Sequence, residues 1–135
     1  MAGLAAAAGI AAGIVVGLGG GPAPVQYQAA LAGTALAPAA TAQVTLTQTA
    51  SGWRITLQGR GLPRLDDGSY YEAWMKNAAG VLVPIGTFNQ PADVTLWSGV
   101  PPTQFPTVTI TRQRADGDPA SSGQRVLVGV AHLAH

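Results

Sequence analysis

At 135 residues the chain has room for one domain and an appendage. A net charge of +1 gives no electrostatic case for nucleic acid or an acidic surface. With no cysteine, the sequence excludes disulfides, a cysteine-ligated zinc and a thiol nucleophile.

Charged side chains make up 10% of the residues, well below the ~25% of globular domains. The deficit lies at one end, because every Lys, Arg, Asp and Glu falls between Arg54 and Arg125. Residues 2–21 carry no polar side chain. A helix of that length, rising about 1.5 Å per residue, crosses roughly 30 Å, the thickness of a bilayer core. A signal peptide needs a positively charged start, which is absent here. A bland Ala/Gly tail is the other alternative. Leu4, Ile10, Ile14, Val15, Val16 and Leu18 favour insertion by about −2 to −3.5 kcal/mol in total, and the glycines oppose it. The sequence therefore predicts one transmembrane helix over 2–21. No Lys or Arg flanks it, so the positive-inside rule gives no orientation. A span starting directly at Met1 points to missing upstream sequence.

Gly9, Gly13, Gly17 and Gly21 recur every four residues, on one face of such a helix. The stripe would permit close packing of two copies and hence a homo-oligomer. An Ala/Gly-rich helix also produces that spacing by composition alone.

Gly19 to Pro24 is rich in Gly and Pro, and residues 22–28 read as a tether. From there the pattern is of short alternating strands separated by turn residues. Residues 29–36 form a weak first strand. In 44–48, Val44 and Leu46 alternate with Thr45 and Thr47. Trp53, Ile55 and Leu57 face one way in the next strand, and Arg54, Thr56 and Gln58 the other. Residues 59–68 are a loop. Residues 70–76 form the richest strand, aromatic on both faces, and 77–80 close a hairpin to 81–88. Residues 93–97, 107–111 and 125–130 supply three more strands, and Pro101, Pro102 and Pro106 keep the linking segment extended. No segment after Gly21 repeats at 3.6 residues. The expected fold is all-β, an antiparallel, immunoglobulin-like β-sandwich of seven or eight strands over 29–131, followed by a tail at 132–135. Trp53, Trp74 and Trp97 read as its large core residues, with carbohydrate stacking the alternative for one of them.

No catalytic, cofactor or metal site is expected. There is no Gly-x-Ser-x-Gly elbow. His132 and His135 sit at a terminus too loose for general-base geometry and lack acidic neighbours. Asp116-Gly117-Asp118 lacks the further oxygen ligands of a calcium loop and reads as a turn, as does Asp66-Asp67-Gly68. Glu72 and Lys76 share a strand face as a surface pair. An enzyme is not expected.

One long block carries a resemblance. It begins with Tyr70-Tyr71-Glu72-Ala73-Trp74-Met75-Lys76-Asn77 and continues through Gly80-Val81-Leu82-Val83-Pro84-Ile85-Gly86-Thr87-Phe88. Asp93 to Val100, with Trp97, follows, then Phe105 to Ile110, then Asp116-Gly117-Asp118, Ser121-Ser122-Gly123 and Arg125 to Gly129. From about Val44 to Gly129 the chain resembles the C-terminal domain of the anti-sigma-K factor family. In this block Tyr70, Tyr71, Glu72, Trp74, Gly80, Pro84, Gly86, Thr87, Phe88, Trp97, Gly117 and Gly123 are read as mainly structural.

The resemblance implies a single-pass bacterial plasma-membrane regulator whose C-terminal domain is extracytoplasmic. A cytoplasmic N-terminal domain holds an extracytoplasmic-function sigma factor inactive. Proteases cut first outside and then within the membrane, releasing the sigma factor for transcription. The sigma-binding domain would precede the span, so a sigma factor is a partner only through that absent domain. A folded domain hides its backbone from proteases, whereas a Gly/Pro tether does not. The span's glycines would ease unwinding for intramembrane cleavage, and replacing Gly13 and Gly17 by Leu should slow it. The reading from a different class is a membrane-anchored, immunoglobulin-like module that binds a ligand or protein at the cell surface.

Overall fold

The computed structural model describes residues 23–134. The expected helix over 2–21, its glycine stripe and His135 lie outside the described residues. Among the described residues no helix is long and apolar enough to cross a membrane.

Eight strands follow one another: β1 (Gln26–Gly33), β2 (Thr41–Thr49), β3 (Gly52–Arg60), β4 (Ser69–Lys76), β5 (Leu82–Phe88), β6 (Val94–Ser98), β7 (Thr107–Arg114) and β8 (Arg125–Leu133). Each arises where an apolar/polar alternation meets a turn signal. In β3, Trp53, Ile55 and Leu57 are buried while Arg54, Thr56 and Gln58 are exposed, as a period of two requires.

All recorded pairings are antiparallel, and the strands form one sheet in the order β5-β4-β7-β8-β1-β2-β3-β6. The sheet rolls up until its two ends, β5 and β6, meet. Leu96 of β6 fills the space over Gly86 of β5, where an added Cβ would lie 2.5 Å from Leu96 Cδ2. The result is a nearly closed barrel. This corrects the expected two-sheet sandwich. Alternation along a strand reports which face is buried but not whether neighbouring strands split into two sheets. Two register shifts, at Ala73/Trp74 and Ile110/Thr111, bend the sheet toward closure. Leu46, Ile55, Tyr71, Met75, Ile110 and Leu127 fill the interior without solvent exposure.

Several strand boundaries move, among them the end of β1, which stops at Gly33, and the start of β2 at Thr41. β1 starts at Gln26, so it takes over the end of the expected tether. β7 runs on to Arg114. β8 runs through Leu133, which places His132 in a strand opposite Gln28 rather than in a ragged tail.

The barrel has two ends of different composition. The near end, where the chain enters, holds residues 23–25, the turns at 50–51 and 77–81, and the link 99–106. None of these segments carries a charge. The far end holds the loops 34–40, 61–68, 89–93 and 115–124, with Asp66, Asp67, Asp93, Asp116 and Asp118.

Candidate functional site

Two regions stand out: the outer wall of β4 and β7, and the point where the chain enters β1.

In β4, Ala73 and Met75 point into the barrel, so Trp74 points out, yet only 4% of it is exposed. Thr109, Thr111 and Gln113 of β7 are also buried on this outer wall. The loop 115–124 accounts for part of that burial by folding back over them. Trp74 Nε1 donates to Thr111 Oγ1 at 2.9 Å, and Thr111 Oγ1 lies 2.9 Å from Gln113 Oε1 as a donor. Ser122 N donates to the same Gln113 oxygen at 2.8 Å, while Gln113 Nε2 donates to Ala120 O at 3.1 Å. Ser122 Oγ donates to Arg112 O at 2.6 Å. One glutamine thus latches the loop, because each buried polar group must find a partner.

The Asp116 carboxylate accepts from Asp118 N and the Asp118 carboxylate from Ala120 N, each at 3.0 Å. They shape the turn, and Gly117 supplies its left-handed residue at φ 84°. Clefts of about 370 and 300 Å³ flank the loop, and Ser121 lines both. Lys76, Arg125 and Thr109 line the smaller one.

The motif residues divide between this wall and the barrel interior. Tyr70, Glu72, Trp74, Pro84 and Thr87 occupy outward positions, and Gly123 lies in the loop above the wall. Gly80 belongs to the β4–β5 turn, where Asn77 Oδ1 accepts from Ala79 N and Val81 N. Tyr71 points inward and is fully buried, with its ring centroid 5.6 Å from that of Phe88. Its hydroxyl donates to Pro63 O at 2.5 Å, which pins the loop closing the far end. Burial pushes the Tyr71 phenol up, and nearby Arg112 partly opposes this. Arg112 Nε is itself buried without a partner. Burial also pushes the Glu72 carboxyl up. Glu72 and Lys76 share the outer face, but no ion pair joins them. Trp53 and Trp74 are buried, whereas Trp97 is 50% exposed on the outside of β6 opposite Arg54. The expectation of a core role for Trp97 is therefore corrected. Val94, Leu96 and Ser98 take the inward positions of β6, so Trp97, like Thr95, faces out.

The entry to β1 was not singled out by the sequence reading. β1 lies between β8 and β2 and is paired on both sides. Val25 O, one residue ahead of the strand, accepts from Gln48 N at 2.9 Å. Gln26 Nε2 donates to Thr47 Oγ1 at 3.1 Å, and Gln26 O accepts from Ala134 N at 2.9 Å. The backbone is therefore fixed from Val25 onward. The available signal was the alternation of Gln26 and Gln28 with Tyr27, Ala29 and Leu31. Among the described residues no group of three or more His, Cys, Asp or Glu is placed to hold a metal.

No curated protein matches this chain, and no solved structure does. The family model described as anti-sigma-K factor rskA, C-terminal, matches residues 2–125, which spans both the apolar N-terminal stretch and the barrel through the start of β8. By this match, which covers most of its length, the chain belongs to the anti-sigma-K factor C-terminal family.

Proposed function

We propose that this chain is the anchor and extracytoplasmic regulatory part of a membrane-bound anti-sigma factor, controlling an extracytoplasmic-function sigma factor through regulated proteolysis. In this reading residues 2–21 span the plasma membrane once, the barrel lies outside, and the chain itself catalyses no reaction. The sigma factor is engaged by a domain ahead of the span. The partners of this part are the membrane and the proteases of the pathway.

The observation that carries the reading is the position of β1. The first strand after the apolar stretch is paired on both sides in the sheet. A protease needs an extended, accessible backbone, and the Val25 carbonyl already accepts a hydrogen bond from the Gln48 amide of β2. Within the connection between the apolar stretch and the barrel, this leaves the residues ahead of Val25 as the place to cut. Release of the rest requires opening the barrel, so barrel stability becomes the gate.

Ile55→Ala tests this. Ile55 is fully buried, and its loss costs about 2–5 kcal/mol. Full-length chain carrying it in membranes should be cut faster by the outer protease, in step with the fraction unfolded. An unchanged cleavage rate in a demonstrably destabilised variant would contradict the gate.

A second reading, an anchored ligand-binding module, draws on the cleft beside Lys76 and Arg125. Its test is calorimetry with small carboxylates and phosphates, comparing wild type with Arg125→Ala. Heat that is lost in the variant supports it, and no heat at all rejects it.

A further inference from the structure

The two ends of the barrel differ in more than charge. Seven large hydrophobic residues are exposed among the described residues. Six of them, Val25, Val81, Leu82, Trp97, Val130 and Leu133, lie at the near end, and Leu36 alone lies at the far end. Around the sheet these six fall at the entry to β1, in the β4–β5 turn and at the near ends of β5, β6 and β8. They form a girdle rather than a single patch. Surface apolar residues scattered singly need no explanation, but their collection at one pole does.

We infer that the near end of the barrel seats on the lipid surface, with the girdle, led by Trp97, in the bilayer interface. The inference rests on the anchored reading above and goes beyond it, since a tethered domain need not touch the membrane. Three observations select lipid as the occupant. The uncharged stretch 2–21 joins the barrel at this pole, only a few residues ahead of β1. The near-end segments carry no charge, so seating them desolvates no ion. The Lys, Arg, Asp or Glu side chains nearest this pole are Arg54 and Lys76, both cationic, and neither has a carboxylate side-chain partner, since Arg64–Asp66 at the far end is the ion pair among the described residues. All five Asp residues lie at the far end, away from anionic headgroups. A half-exposed Trp flanked by a cation is the arrangement favoured at a membrane interface.

The fluorescence of the chain makes the test direct, because Trp53 and Trp74 are buried and Trp97 is not. Full-length chain is reconstituted into phosphatidylcholine/phosphatidylglycerol vesicles whose upper acyl chains carry bromine. Flotation is measured first, to establish anchoring, and quenching second. The expected result is a quenching loss about twofold larger in wild type than in Trp97→Phe, and reduced in Leu82→Asp/Val130→Asp, whose exposed sites tolerate the change. Chain that floats without Trp97-dependent quenching overturns the seating and leaves the anchored reading intact. Chain that does not float removes the anchored reading and the seating with it.

Discussion

The near and far ends of the barrel are built from the same eight strands by different chemistry. Far-end loops hold their shape through side-chain-to-backbone hydrogen bonds. Asp116 and Asp118 bind amides of their own loop, Asn89 Nδ2 donates to Leu65 O at 3.1 Å, and Asp93 N donates to Gln58 Oε1 at 3.3 Å. Near-end segments make such bonds too, through Thr49, Asn77 and Ser98, but they carry no charge and include a proline-containing link at 99–106. Loops dense in such bonds keep their shape in water. An uncharged end is costly to leave in water and cheap to cover, and so is suited to face something other than solvent.

Substitutions can break this comparison in order of effect. Ile55→Ala acts on the shared interior and should lower stability by about 2–5 kcal/mol, melting both ends together in one urea transition. Two separated transitions would show that the ends are independent. Gln113→Ala acts on the far half. It leaves Ser122 N and Ala120 O without their partner and should cost about 1–3 kcal/mol. Amide exchange should rise across 115–124 and stay unchanged at 77–81.

Asn77→Ala is the near-end counterpart. It removes the acceptor of two amides in an exposed turn and should cost about 0.5–1.5 kcal/mol, with faster exchange confined to Ala79 and Val81. Glu72→Gln should have the smallest effect. Burial raises the Glu72 carboxyl above its ordinary value, so the folded state disfavours its charge. The penalty is absent at pH values below the unfolded pKa and complete above the raised folded one. The variant should therefore be slightly more stable than wild type at neutral pH, with the gain vanishing as pH falls through the carboxylate range. A gain that persists at low pH would point to a packing effect instead.

The strands were legible wherever alternation was strong. β3, β4 and β5 lie close to where Trp53–Gln58, Tyr70–Lys76 and the residues after Gly80 place them, because one buried face dictates a period of two. Closure into a barrel was not legible. It depends on which strands pair across long separations, such as β1 with β8 and β3 with β6, and alternation does not encode that choice. Trp97 was misjudged for a related reason. Its size suggests burial, but its register puts it on the outward face of β6 opposite Arg54 while Leu96 takes the inward position. On the β4–β7 wall, Trp74 was identified in the sequence, while its partners Thr111 and Gln113 looked like ordinary surface residues. Only the return of the loop 115–124 buries them. The entry to β1 was hidden behind the Gly/Pro signal of the preceding residues, which extended the apparent tether past Gln26.

The most direct measurement is the position at which the folded chain can be cut. Full-length protein would be digested briefly with proteinase K under native conditions, and the new N-termini read by mass spectrometry. The gate described here predicts cuts ahead of Val25 and none within Gln26–Gly33 until denaturant opens the barrel. Native cuts inside β1, at rates matching those ahead of Val25, would contradict it.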